Sequence, residues 1–210
     1  LMAISNYSEL QTAVANWLDR DDLAARIPEF IALCEARFNR SLRIRAMETL
    51  DISVDTVSGT STVALPTGYV QMRDISLITS PITQLQYLTP EIMNRLNAGS
   101  FTGKPETYTI IANNILFGPT PDAVYDISML YYKTFDALTD AAPTNWVITN
   151  APDVYLYGAL LEAEPFLMND QRVQLWATAL TQSITTLQEQ DNKDRHSGSA
   201  LRVMNTGGDY

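Results

Sequence analysis

Cysteine and histidine are almost missing from this chain of 210 residues: Cys34 and His196 are the whole supply. One cysteine excludes an internal disulfide and any multi-cysteine metal site, and zinc centres built from histidine and cysteine fail on count. A Ser-His-Asp triad needs an imidazole held rigidly against both partners, whereas His196 falls in a stretch without periodicity, RHSGSALRVMNTGGDY. No Walker loop, dinucleotide-binding glycine fingerprint or HExxH motif occurs. No apolar run approaches the roughly 18 residues that cross a bilayer. The opening LMAISNYSEL lacks the basic start and long apolar stretch of a secretion signal, so a soluble cytoplasmic product is expected. Cations are scarce as well, 14 Lys and Arg against 24 Asp and Glu, for a net charge of −10 and a pI near 4.4. That balance opposes ordinary nucleic-acid binding, because affinity for duplex DNA comes largely from cations that neutralise phosphates.

What is present reads as a globular protein. An apolar fraction of 46% and a charged fraction of 18% argue against disorder, and the length suffices for one core or two small ones. Asn6 with Glu9 has the spacing of a capped helix start, and Leu10, Val14, Trp17 and Leu18 continue the stripe, predicting a helix over 7–19. Leu23, Ile27, Phe30, Ile31, Cys34 and Phe38 recur three or four apart. Pro28 is tolerated in a first turn, which places this second helix at about 27–42, after a short preceding turn. Cys34 lies on the apolar stripe and is expected to be a small buried hydrophobe.

After Met47 the period changes to alternation. Leu50, Ile52 and Val54 point one way, Val63 and Leu65 are expected to answer them across a Ser58-Gly59-Thr60 turn, and strands follow at 73–79 and 82–88. Thr89-Pro90-Glu91 starts a short helix ending near Gly99, Asn113-Asn114 supplies a hairpin between 107–112 and 115–118, and 125–133 is a long strand. Helical periodicity returns after Asn150-Ala151-Pro152-Asp153, with Pro165 near the helix end, and Val173, Trp176, Leu180, Ile184 and Leu187 form a last stripe. Gln174, Thr178, Gln182 and Thr185 on its other side are polar and uncharged, a face suited to a neighbour. The fold class is α+β: a helical bundle formed by N- and C-terminal helices, an inserted antiparallel β domain of six or seven strands, and a flexible C-terminal tail. The domains are 1–48 (N-terminal helices), 49–149 (β-rich insertion with a short helix), 150–194 (C-terminal helices) and 195–210 (extended tail).

The remaining chemistry lies in carboxylates and arginines. Asp19, Asp21 and Asp22 are read as capping acids near a positive helix N-terminus. Glu162 and Glu164, two apart on a helix, do not face each other, so no catalytic residue, metal site or cofactor is assigned. Arg37, Arg40, Arg43 and Arg45 concentrate basic charge at the end of the second helix. Three readings stay open for them: a solvated, salt-bridged face, a contact between subunits or with a partner protein, and direct DNA binding. Tyr131, Tyr132, Tyr155 and Tyr157 are read as core and interface residues rather than base-stacking groups.

The strings W-L-x-R-x-D-L (17–23), I-P-x-F-I-x-L-x-E-A-R (27–37) and L-R-x-R-x-M-E (42–48), with ALPTGYV (64–70) and APDVYLYGALLEAEPFLMND (151–170), resemble the head-to-tail adaptor (connector) proteins of tailed bacteriophages, particularly short-tailed ones. They are packing and turn patterns rather than catalytic signatures. The resemblance implies a structural virion protein of the neck: a dodecameric ring beneath the portal protein that prolongs the DNA channel and seats the tail nozzle or other tail proteins. DNA would pass through an acidic lumen without sequence-specific binding. It also implies that 170–210 seats against the portal, with Gln174, Thr178 and Gln182 on the helix and Arg195, Arg202 and Tyr210 as anchors. The rival readings are a tail-tube or tail-completion protein and a carboxylate-based virion hydrolase.

Overall fold

The computed structural model describes residues 4–20, 22–96, 101–167 and 170–195, with backbone alone at 170 and 171. Its helices are α1 (Tyr7–Leu18), α2 (Ile27–Ser41), α3 (Pro90–Leu96), α4 (Trp146–Asn150), α5 (Pro152–Leu167) and α6 (Asp170–Arg195). The chain divides into two compact units: both ends, through Arg45 and from Phe135 on, form a helical unit, and Ala46–Thr134 form the other. The class is α+β, with the β region inserted between the two halves of the bundle.

In the helical unit, α1 begins as its spacing predicts. Asn6 Oδ1 accepts the Glu9 N–H at 3.0 Å, and the Glu9 carboxylate reaches back to the Ser5 N–H at 2.8 Å. Helix α2 starts at Ile27 with Pro28 in its first turn. The acids between these helices act otherwise than expected. Asp19 is the left-handed C-cap of α1, its N–H returning to the Ala15 and Asn16 carbonyls, and Asp22 pairs with Arg20; Asp21 lies outside the described residues. The residue before α2 is Arg26, which makes no side-chain cap.

The bundle core joins Leu10 and Val14 of α1, Phe30, Cys34 and Phe38 of α2, Tyr155 and Ala159 of α5, and Trp176 and Leu180 of α6. Full burial of each large apolar side chain contributes about 1.5–3 kcal/mol. Pro165 sits in the final turn of α5, two residues before Leu167, and, lacking an N–H, cannot donate the helical bond to the Leu161 carbonyl. Helix α4 is an addition to the expected elements; Asn145 caps it by accepting the Ile148 N–H at 3.1 Å.

Among its described residues the second unit holds ten strands, where six or seven were expected: β1 (Glu48–Asp55), β2 (Thr62–Ala64), β3 (Tyr69–Leu77), β4 (Thr83–Gln84), β5 (Gln86–Tyr87), β6 (Thr102–Gly103), β7 (Thr107–Ile111), β8 (Asn114–Gly118), β9 (Thr120–Pro121) and β10 (Asp126–Lys133). They form sheets ordered β1-β10-β3-β4 and β2-β8-β7-β5 and a β6-β9 pair. Ile75, Leu77, Ile127, Met129 and Tyr131 of the first sheet share one core with Tyr108, Ile115 and Phe117 of the second. The expected hairpin of β1 with β2 is replaced. β1 pairs with β10 and β2 with β8, and only an isolated bridge from Val57 to Thr60 joins the two across the turn. Leu50 and Ile52 therefore lie exposed on an edge strand, and a bulge after Asp51 turns Val54 toward the core.

The β7–β8 hairpin also differs in detail. Ile111 pairs with Asn114, which leaves Ala112 and Asn113 in the turn, and the positive φ of 52° falls on Ala112. A Cβ is disfavoured in that region. Ala112→Gly is expected to stabilise the chain by about 0.5–1 kcal/mol, read as a higher denaturant midpoint at unchanged slope.

Candidate interaction surfaces

Helix α6 carries the face that the sequence marks out. Trp176 and Leu180 turn inward, while Gln174, Thr178, Gln182 and Thr185 are exposed. No charged residue occurs from Val173 to Gln188. The threonine hydroxyls are already used: Thr178 donates to the Gln174 carbonyl at 2.8 Å, Thr181 to Ala177 at 2.7 Å, Thr185 to Thr181 at 2.8 Å and Thr186 to Gln182 at 2.9 Å. A hydroxyl bonded to its own helix presents its methyl group outward and loses little when a neighbour displaces water. A shallow depression of about 230 Å³ runs along this face between Gln174, Ala177, Thr178, Thr181 and Gln182.

The end of α6 is tied down rather than loose. Asp191 accepts the Arg45 backbone N–H at 2.8 Å and the Arg195 guanidinium at 2.8 Å, so the Arg195 side chain is held within its own chain. Arg202, Tyr210 and His196 lie outside the described residues, as does the tail expected beyond Arg195.

The four clustered arginines separate. Arg37 bonds Glu162 of α5 through Nε at 2.7 Å. Arg43 donates to the Leu42 carbonyl at 2.6 Å and the Asn39 carbonyl at 3.1 Å, and the Arg45 guanidinium reaches Asp194. Arg40 is exposed and has no ion-pair partner among the described residues. The geometry thus brings three of the four into contacts of the chain's own making. No signal in the sequence could have separated them, because Glu162 lies 125 residues from Arg37.

The paired acids also diverge. Glu162 answers Arg37, while Glu164, fully buried, accepts the Trp176 indole N–H at 2.8 Å and leaves its second oxygen without a partner. Among the described residues, no group of three or more His, Cys, Asp or Glu side chains gathers to hold a metal ion, and no helix is long and apolar enough to cross a membrane. Burial pushes the Cys34 thiol well above its ordinary value, as suits a packing residue rather than a nucleophile. Tyr131 and Tyr155 are buried, Tyr157 stacks on Trp176 with centroids 6.2 Å apart, and Tyr132 lies beneath the Arg73 guanidinium.

Sequence reasoning missed a second surface, on α2. Leu33, Arg37 and Arg40 share one face of that helix, and Leu33 is exposed although it sits among the apolar residues that define the stripe.

The family model described as SU10 adaptor protein matches residues 5–204, which takes in both halves of the bundle and the whole β insertion. No curated protein matches the chain.

Proposed function

We propose that this chain, which belongs to the SU10 adaptor protein family, assembles into a ring under the portal of a short-tailed bacteriophage, extends the DNA channel and provides the seat for the tail. The family supports the reading of a bacteriophage head-to-tail adaptor with a structural role. The match over residues 5–204 carries the reading. The uncharged outer face of α6 supports it from the residues, since a face with its hydroxyls internally bonded suits burial against a protein better than exposure to water.

Gln174, Thr178 and Gln182 are the portal-facing positions in this reading, with Arg195, Arg202 and Tyr210 as further anchors. Arg40, Arg43 and Arg45, with Arg37 behind them, lie toward the neighbouring subunit. The net charge of −10 fits a conduit that does not hold phosphates, so DNA slides through without sequence-specific contacts. Twelve copies per ring, placement in the virion neck, synthesis in the host cytoplasm and tail-nozzle attachment belong to the same proposal.

The test is to mix the full chain with portal rings of the same virus and weigh the complex by sedimentation. A mass gain equal to a full ring is the expected result, and Thr178→Glu with Gln182→Glu should lower occupancy at least roughly tenfold by placing unpaired charge in the contact. No mass gain from folded components would overturn the adaptor ring and favour a tail-tube role.

A further inference from the structure

One end of the β unit combines two facing carboxylates, without an ion-pair partner among the described residues, with exposed apolar side chains. β1 and β3 run toward this end and β10 starts from it, so it lies opposite the end where the chain enters at Ala46 and leaves at Thr134. Three loops are bonded together there. The Thr56 N–H donates to the Tyr125 carbonyl at 2.9 Å, Ser58 Oγ to the Asp122 carbonyl at 2.8 Å, and the Ile78 N–H to the Asp126 carbonyl at 2.9 Å. Val57, Ile78 and Val124 are gathered as a result and remain 56%, 45% and 62% exposed. Asp55 stands directly opposite Asp126 across β1 and β10, and both side chains are exposed. Like charges so placed in a sheet are destabilising. The unit thus holds a repulsive pair and uncovered apolar surface at the same place.

The helical unit carries a patch of the opposite sign. Leu33, Arg37 and Arg40 recur at four and three residues along α2. Arg37 is bonded to Glu162 of α5, and Phe166, one turn further along α5, has its ring 5.8 Å from that of Phe30. Leu33 and Phe166 are more than half exposed, and Arg40, about two turns beyond Leu33 on the same face of α2, is a cation without an ion-pair partner among the described residues.

We infer that, in the ring proposed above, on which this inference rests, the end of the β unit of one copy docks on the α2–α5 face of the next. Arg40 meets Asp55 and Asp126, and Leu33 and Phe166 cover Val57, Ile78 and Val124. Charge selects the occupant. Two β-unit ends together would oppose four carboxylates, and two α2 faces would oppose their arginines, so neither patch suits a two-fold contact with itself. Each patch complements the other, both occur on every chain, and a contact between different patches propagates head to tail, the kind of interface that a ring of identical copies requires. Arg40 gains here the ion-pair partner that the described residues of its own chain do not provide, and the Asp55–Asp126 repulsion is relieved on assembly.

The experiment compares Arg40→Glu, Asp126→Lys and the exchanged chain carrying Arg40→Asp with Asp126→Arg, each as full chain with portal rings and each checked for folding by circular dichroism. Both changed positions are exposed, so folding should be retained, and Leu33→Ser with Val124→Ser serves as a second, charge-independent disruption. Wild type should add a full ring. Each single reversal should lower the number of bound copies at least roughly tenfold at the concentration that saturates wild type, and the exchanged chain should recover it. Single reversals and the serine chain that both assemble like wild type would overturn this contact alone. An exchanged chain no better than the single reversals would overturn the charge pairing. Failure of wild type itself to add mass would instead remove the ring on which the contact rests.

Discussion

Gly158→Ala is expected to destabilise the helical unit by about 3 kcal/mol, and adding Cys34→Ala is expected to recover much of that loss. Helix propensity alone argues for the opposite sign, because glycine inside a helix is less favourable than alanine by roughly 0.5–1 kcal/mol. The packing decides. A Cβ at Gly158 of α5 would collide with Cys34 Sγ on α2, with the Phe38 ring at 3.3 Å and Cys34 Cβ at 3.5 Å. Neither neighbour has room to give, since Cys34 and Phe38 are 0% and 1% exposed and the Phe38 ring is set edge-on to Tyr155. The helices must move apart, and the contacts of α5 with α2 loosen together. Cys34→Ala removes the colliding sulfur and leaves a Cβ at ordinary contact distance. Alone, it should cost about 1–2 kcal/mol for the cavity it creates. Denaturant unfolding of the four chains gives a coupling energy, expected to be about 3 kcal/mol in favour of the double variant. A Gly158→Ala chain as stable as wild type would show that the helices do not depend on this close approach.

The same residues show why the helical unit was legible. Cys34 lies on a stripe whose spacing needs no partner to be read, and Pro28 and Asn6 mark helix starts by their own chemistry. Close approach at Gly158 was not legible, because a glycine in a helix has the same appearance in sequence whether its space is filled by a neighbour or open. Strand positions were mostly legible and their partners were not. Alternation in Leu50, Ile52 and Val54 tells that side chains take opposite faces, but it carries no information on which strand lies alongside. β1 found β10, more than 70 positions later, instead of β2. Helix α4, five residues long, is too short for periodicity to reveal.

The surfaces divide in the same way. The outer face of α6 could be read because it is one helix with one period. The anionic, apolar end of the β unit could not, since Val57, Ile78 and Val124 come from three loops brought together by backbone bonds. The arginines formed a cluster in sequence, yet only the fold separates Arg40, which is without an ion-pair partner among the described residues, from Arg37, which is taken by Glu162.

Glu35→Ala is expected to cost about 3 kcal/mol, and Glu35→Gln much less, because Glu35 fastens the segment that returns from the β unit to α2. Its Oε1 accepts the Leu138 N–H at 2.8 Å and the Tyr155 hydroxyl at 3.0 Å, and that hydroxyl in turn accepts from Asn145 Nδ2 at 2.6 Å. Asn39 Oδ1 holds the Phe135 N–H nearby at 3.1 Å. Alanine would leave the Leu138 and Tyr155 donors unpaired in largely buried surroundings, whereas a glutamine oxygen can take the same bonds. Burial foremost raises the Glu35 carboxyl above its ordinary value of 4.5, against the lowering effect of the two bonds it accepts, and burial raises the Tyr155 hydroxyl as well, which keeps it a donor. The folded chain therefore holds the Glu35 proton more readily than the unfolded chain does. Its contribution is fully present below the unfolded value and is lost as pH rises through the raised folded value. Glutamine does not titrate, so wild-type stability minus that of Glu35→Gln should fall across this window and stay level above it, measured by urea unfolding at a series of pH values. A difference that rose with pH would mean that the carboxylate, rather than the acid, is the form the fold prefers, and that the bonds from Leu138 and Tyr155 outweigh the cost of its burial.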